Sequence, residues 1–137
     1  YFDRYPGVRD YVRETIKRAR EKGYVTTLFN RRRYIPDIDN RNYHLRSFAE
    51  RTAMNTPIQG TAADIIKIAM VNVYRHLKKN KLKTKLILQV HDELIFNVPK
   101  EEISIVKGIV KENMEKAISL KVPLVVDFTQ GYTWEEL

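Results

Sequence analysis

Apolar positions recur at helical spacing in four stretches of the chain and gather in five short β-prone runs, with proline and glycine marking the joins. Val8, Val12, Ile16 and Ala19 repeat every three to four residues between Pro6, suited to a first helical turn, and Gly23, suited to a helix stop. Tyr24 to Leu28 and Arg33 to Ile35 then read as two short strands around a Phe29-Asn30-Arg31 turn, a hairpin. Pro36 and Asp37 to Asn40 make a loop. A second helix is predicted from about Tyr43 to Asn55, with Leu45, Phe48, Ala49 and Thr52 on one side.

Pro57 interrupts that pattern, because its ring removes a backbone donor and disfavours a helical residue before it. A break or kink is expected there, with the helix resuming to about Asn80. Its stripe Ile58, Ala62, Ile65, Ile66, Ala69, Val73 and Leu77 keeps the 3.6 period and reads as core rather than a binding face. Lys85 to Val90 and Leu94 to Val98 flank a polar break, His91-Asp92-Glu93, and predict an antiparallel hairpin. The acidic pair Glu101 and Glu102 opens a further helix carrying Ile103, Val106, Val110, Met114 and Ala117. Pro123 to Phe128 is expected as a last strand, and Trp134 to Leu137 is left unassigned. The order suggests an α+β fold, helices on one face of an antiparallel sheet.

At 137 residues the chain is one domain's length, and 43% hydrophobic with 31% charged residues is a globular balance. No apolar run approaches the ~18 residues that span a bilayer, and the opening Tyr1-Phe2-Asp3-Arg4 does not resemble a signal peptide. With no cysteine, disulfides, thiol catalysis and Cys-ligated zinc are excluded, so any metal is held by oxygen or imidazole. The start at Tyr1 suggests a piece of something longer.

Charge sharpens the picture. Lys and Arg number 25 against 17 Asp and Glu, a balance of +8 that points to a polyanionic partner. Residues 1–56 carry 13 basic and 7 acidic side chains, residues 57–99 carry 7 and 3, and residues 100–137 carry 5 and 7. The arginines sit almost wholly at or before Arg51 and the lysines mostly after it. Arginine's planar fork suits bidentate contacts with phosphates and base edges. Arg31-Arg32-Arg33, flanked by aromatics, fits either nucleic acid or internal pairing. The lysines from Lys78 to Lys85 read as a solvated helix end and turn.

Two clusters carry candidate chemistry. Most hairpin tips use Gly, Asn or Asp to meet the backbone geometry, whereas His91-Asp92-Glu93 places a histidine and two acids between Leu88, Val90, Leu94 and Ile95. Adjacent carboxylates repel, and a hard divalent ion relieves the repulsion while taking phosphate oxygens and water as its other ligands. The alternative is an ordinary Asx-type turn at Asp92. Arg51, Asn55 and Gln59 lie four apart and form one polar stripe on a continuous helix. Such a stripe can donate to minor-groove acceptors shared by every base pair; capping and packing around Pro57 is the competing reading. Gly60-Thr-Ala-Ala63 would let another backbone approach closely.

The run Arg51-Thr-Ala-Met-Asn-Thr-Pro-Ile-Gln-Gly-Thr-Ala-Ala-Asp64, followed by Leu88-Gln-Val-His-Asp-Glu-Leu94, closely resembles the C-terminal part of family A DNA polymerases, the bacterial DNA polymerase I type. Gly23-Tyr-Val-Thr-Thr27, Arg31-Arg-Arg-Tyr-Ile-Pro-Asp37 and Val122-Pro-Leu124 are similar to that family's linking segments, so the resemblance covers the whole chain in order. It implies a palm-like partial domain, with residues 1–42 a fingers-to-palm helix and hairpin and residues 43–137 palm. It implies DNA-directed DNA synthesis by a two-metal mechanism using Mg²⁺, with Mn²⁺ the alternative ion. Asp92 would be one of two metal-binding aspartates, Glu93 an accessory acid near the metals, and His91 a neighbour of the primer terminus. Arg51, Asn55, Gln59 and Arg46 would contact the primer–template. Partners implied are primer–template DNA, deoxynucleoside triphosphates and the rest of the polymerase chain, in a bacterial cytoplasm at the nucleoid, with no membrane. The family's other metal-binding aspartate and its triphosphate-binding fingers helix have no counterpart in residues 1–137, so this piece is expected to be inactive alone. A non-catalytic nucleic-acid-binding module and a single-metal nuclease using Asp92 and Glu93 are the alternatives.

Overall fold

The computed structural model describes residues 1–137, which divide into two compact units, residues 1–64 and residues 65–137. The elements run α1 (Pro6–Lys22), β1 (Tyr24–Thr26), β2 (Arg32–Tyr34), α2 (Tyr43–Lys79), β3 (Lys85–Val90), β4 (Glu93–Asn97) and α3 (Ile103–Glu115), with short 3₁₀ turns at Lys100–Glu102 and Trp134–Glu136. The α+β class holds. The strands form two separate antiparallel pairs, β1 with β2 and β3 with β4, in place of one sheet.

In residues 1–64, α1 begins with Pro6 and ends where Gly23 turns left-handed at φ 78°, its N–H reaching the Ala19 carbonyl at 2.8 Å. Arg20 and Lys22 sit in the last turn, where cations meet the negative end of the helix dipole. The chain continues directly into β1, and Tyr24, Val25 and Thr26 pair with Tyr34, Arg33 and Arg32. The connecting loop, Thr27 to Arg31, is longer than the three-residue turn expected. The Thr27 hydroxyl accepts from the N–H groups of Phe29 and Arg31, and Asn30 takes φ 60°, a region asparagine tolerates better than most residues. Ala19, Val25, Ile35, Ile38, Ala49 and Ala53 form the core, with Ile16 packed against it. Arg20 fastens it at the rim, meeting Glu50 at 2.5 Å and Asp39 at 3.3 Å.

Asn42 caps α2: its side-chain oxygen accepts from the N–H of His44 at 2.9 Å and of Leu45 at 3.3 Å. The break expected at Pro57 does not occur, since the two anticipated helices are one element of 37 residues with Pro57 inside. Local preference opposes this by about 3 kcal/mol at a proline and about 1 kcal/mol at a glycine such as Gly60. Tertiary packing prevails because the helix lays a face of small side chains, Ala49, Ala53, Thr56, Thr61 and Asp64, into the interior of this unit. The side predicted to carry Leu45, Phe48, Ala49 and Thr52 is split, with Ala49 buried but Leu45 47% and Phe48 64% exposed, and Ile58, expected at the head of the core stripe, is 64% exposed. Closeness of approach selected size over hydrophobicity.

In residues 65–137 the predicted stripe is core where Ala69, Val73 and Leu77 are buried. Val73 and Leu77 pack with Val106 and Val110 of α3, and Leu82, Phe96, Val98, Ile109 and Met114 close the cluster. The Lys83–Thr84 entry to β3 is held by Glu102, whose carboxylate accepts from the N–H of Lys83 at 2.7 Å, the N–H of Thr84 at 2.9 Å and the Thr84 hydroxyl at 2.6 Å. The hydrogen bond from the Thr84 hydroxyl, followed by that from the Lys83 backbone, holds the Glu102 carboxyl below its ordinary value. The strand expected over Pro123 to Phe128 does not form. Neither strand pair includes it, and Val126 spends its N–H on the Glu115 side chain at 3.1 Å. A β-prone run becomes a strand only when a neighbour supplies the ladder.

Candidate functional site

The arginine triplet separates into three roles that its sequence left open. Arg31 turns inward: its Nε meets the Asp64 carboxylate at 2.8 Å and its Nη2 donates to the Gly60 carbonyl at 3.2 Å. Arg32 lies over the Tyr24 ring at 4.6 Å, and that ring meets Tyr34 edge-on at 5.7 Å. Arg33 lines a cavity of about 200 Å³ with Phe48, Arg51, Thr52, Asn55, Thr56 and Gln59. The i, i+4, i+8 spacing thus brings Arg51, Asn55 and Gln59 onto one surface, because α2 runs unbroken through Pro57. All three are exposed, and Arg51 is steadied by the Ser47 hydroxyl, which accepts from its Nη1 at 2.9 Å. Guanidinium and amide donors on this face suit acceptors such as base edges and phosphates.

Arg46 is placed elsewhere. Its Nη1 donates to the Asn40 carbonyl at 3.2 Å and its guanidinium sits 5.8 Å from the Tyr43 ring centre, so it secures the start of α2 and does not line the cavity.

The second cluster lies at the β3–β4 tip. Val90 pairs with Glu93, so the connection is the two residues His91 and Asp92, and Glu93 belongs to β4 in place of the loop expected. His91 takes φ 53°, costly for a residue with a Cβ. The Gln89 side chain donates to the His91 carbonyl at 2.5 Å and fixes the turn from within. Farther down the hairpin, Leu86 faces Phe96 and Leu88 faces Ile95, leaving Ile87 as a bulged residue that increases the local twist. Val90, Leu94 and Ile95 are half-buried, whereas Ile87 and Leu88 are 56% and 42% exposed, so the apolar bracket is less enclosed than its sequence suggested.

His91, Asp92 and Glu93 are all exposed. Asp92 makes no Asx-turn hydrogen bond; both carboxylates project from the tip with their oxygens uncommitted within the chain. That donor set fits a share of a hard-cation site, since Mg²⁺ takes one or two carboxylates and completes its shell with phosphate oxygens and water. No group of three or more His, Asp or Glu side chains able to hold a metal gathers anywhere in the chain.

Asp64, Thr27 and Thr61 are structural partners of the β1–β2 loop and the α2 turn near Gln59, roles their sequence positions do not announce. At Gly60 the close neighbour is a side chain in place of the backbone expected: an added Cβ would fall 2.8 Å from the Thr27 methyl. A run of small residues ending in a lone acid was the available signal.

Comparison with known proteins identifies the family of the chain. The profile of DNA polymerase family A matches residues 1–136. The chain is 60% identical over 136 residues to DNA polymerase I of Caldicellulosiruptor bescii and 58% identical over 134 residues to DNA polymerase I of Bacillus subtilis, covering 99% and 98% of this chain. It spans only 16% and 15% of the length of those relatives. Among solved structures it superposes, with a TM-score of 0.87 and 50% identity, on the POL domain of Pol1 from M. smegmatis in complex with DNA primer-template and dNTP, over 90% of this chain and 22% of that one. Matched along nearly its whole length, this chain belongs to DNA polymerase family A.

Proposed function

We propose that the chain forms part of the palm of a DNA-directed DNA polymerase and carries one portion of a two-metal nucleotidyl-transfer site. Residues 1–42 are its fingers-to-palm helix and hairpin, and residues 43–137 belong to the palm. The observation that carries the proposal is the exposed Arg51, Asn55 and Gln59 surface, in a chain that matches the family from residue 1 to 136. Arg51, Asn55 and Gln59 donate to minor-groove acceptors that do not depend on sequence, the requirement for holding a primer–template of any composition. Arg46, at the beginning of α2, is a further contact to the primer–template, separate from this surface.

Asp92 offers its carboxylate to a catalytic Mg²⁺ or Mn²⁺, Glu93 adds a weaker second acid, and His91 stands beside the primer terminus. The ions, when bound, supply the Lewis acidity that activates the primer 3′-hydroxyl and the charge that steadies the triphosphate. The strained, internally tied turn holds Asp92 in a fixed position, which matters because misplacing a catalytic group by an ångström can cost a hundredfold in rate. Residues outside this chain complete the site: a second aspartate and the triphosphate-binding side chains.

The test is Asp92→Asn in the full-length polymerase that contains this segment. Single-turnover nucleotide incorporation is expected to fall by about three orders of magnitude, about 4 kcal/mol of transition-state stabilisation. Affinity for primer–template should stay the same or rise, since a negative charge is removed. Undiminished synthesis by the variant would refute the catalytic reading and favour a non-catalytic nucleic-acid-binding module.

A further inference from the structure

The turn of α2 that presents Gln59 is the least self-supporting part of that helix. Pro57 has no N–H to give the Ala53 carbonyl, and Gly60 follows three residues later. The Thr61 hydroxyl donates back to the Pro57 carbonyl, an i−4 contact that tends to bend helices. Support comes from the β1–β2 loop. The N–H of Leu28 donates to the Thr61 hydroxyl oxygen at 3.0 Å, and Arg31 spans one helical turn, holding the Gly60 carbonyl at 3.2 Å and the Asp64 carboxylate at 2.8 Å. Asp64 is 9% exposed, whereas the Arg31 side chain is half-exposed, so the acid is the fixed end of the pair.

From this geometry we infer that Asp64, acting through Arg31, is a positioning residue: the pair clamps the β1–β2 loop onto the Pro57–Thr61 turn and thereby sets the direction in which Gln59 faces the DNA. The inference rests on the proposed role of Gln59 and adds a device that role requires. Arg31 is therefore a brace, in contrast to Arg33, which lines the cavity itself. The planar guanidinium is needed because two acceptors, a carbonyl and a carboxylate, must be met at once. Lysine can serve one.

Electrostatics and positioning predict opposite signs, which makes the inference testable. Asp64→Asn removes a negative charge from a surface that meets a polyanion, so charge alone would tighten DNA binding. Loss of the clamp should weaken it. In the full-length polymerase, Asp64→Asn is expected to lower primer–template affinity about tenfold, with a loss of less than about twofold when Gln59→Ala is already present, as coupling within one network requires. Arg31→Lys, which keeps the charge but not the fork, should lose affinity in the same Gln59-dependent way and serves as the second variant if Asp64→Asn is poorly folded.

Affinity unchanged or raised in both variants would overturn the clamp. An equal loss with and without Gln59→Ala would also overturn it, by showing general destabilisation. If Gln59→Ala alone leaves affinity unaltered, the proposed DNA contact at Gln59 fails and the clamp falls with it. A tenfold loss for Gln59→Ala combined with additive Asp64→Asn effects would reject the clamp only.

Discussion

Replacing Gly60 by alanine sets two opposing effects against each other at one atom. In an exposed helix interior the change should stabilise by about 1 kcal/mol, because alanine loses less backbone entropy. Here the new Cβ would lie 2.8 Å from the Thr27 Cγ2, well inside carbon–carbon contact distance. Thr27 is poorly placed to yield: it is 4% exposed and its hydroxyl already accepts from the N–H groups of Phe29 and Arg31. Overpacking costs about 1–3 kcal/mol, and an approach this close against a side chain that cannot yield falls at the upper end, about 2–3 kcal/mol. Gly60→Ala should therefore destabilise by roughly 1–2 kcal/mol net. Thr27→Ser removes the clashing methyl and keeps the hydroxyl. By itself it should cost about 1 kcal/mol of lost burial, yet combined with Gly60→Ala it should recover most of the alanine penalty. Urea unfolding of the four proteins, followed by far-ultraviolet circular dichroism, gives the coupling directly. A Gly60→Ala protein as stable as the parent, or a penalty that Thr27→Ser leaves untouched, would show that the steric argument is wrong.

Other outcomes follow from the second unit. Because the Glu102 carboxyl is held below its usual value of 4.5, its stabilising contribution is complete above that pH and disappears as pH falls through the lower folded-state value. Glu102→Gln should therefore be less stable than the parent at pH 7, with the gap closing below about pH 4.5; a gap independent of pH in urea titrations would contradict this. Val73, fully buried between α2 and α3, should cost about 2 kcal/mol when cut to alanine. A change under about 0.5 kcal/mol in the same assay would mean the cluster is not a working core.

Much of this architecture is readable from single residues because it is local. Pro6, Gly23 and the apolar spacing between them define α1, and the β-prone runs around His91-Asp92 define the second hairpin. The Arg51–Gln59 stripe follows from arithmetic on a helix. These features depend on backbone preference and on neighbours three or four positions away, which the chain order states directly.

Other features required the folded molecule. Pro57 argues for a break, and only packing of the small-residue face onto the β1–β2 loop carries α2 through it. Leu45, Phe48 and Ile58 argue for buried positions that are in fact exposed, since hydrophobic periodicity reports apolar character and not how closely another backbone comes. Pro123 to Phe128 argues for a strand, but a ladder needs a partner with free donors and acceptors. Three adjacent arginines are indistinguishable in sequence. Their division into a brace on Asp64, a cover on Tyr24 and a cavity wall is decided by which partner the fold brings within reach of each, from 8 positions away for Tyr24 to 33 for Asp64. Chain order determines which groups are present and how they repeat; the tertiary fold decides which partner each one meets, because pairing energy depends on separation in space.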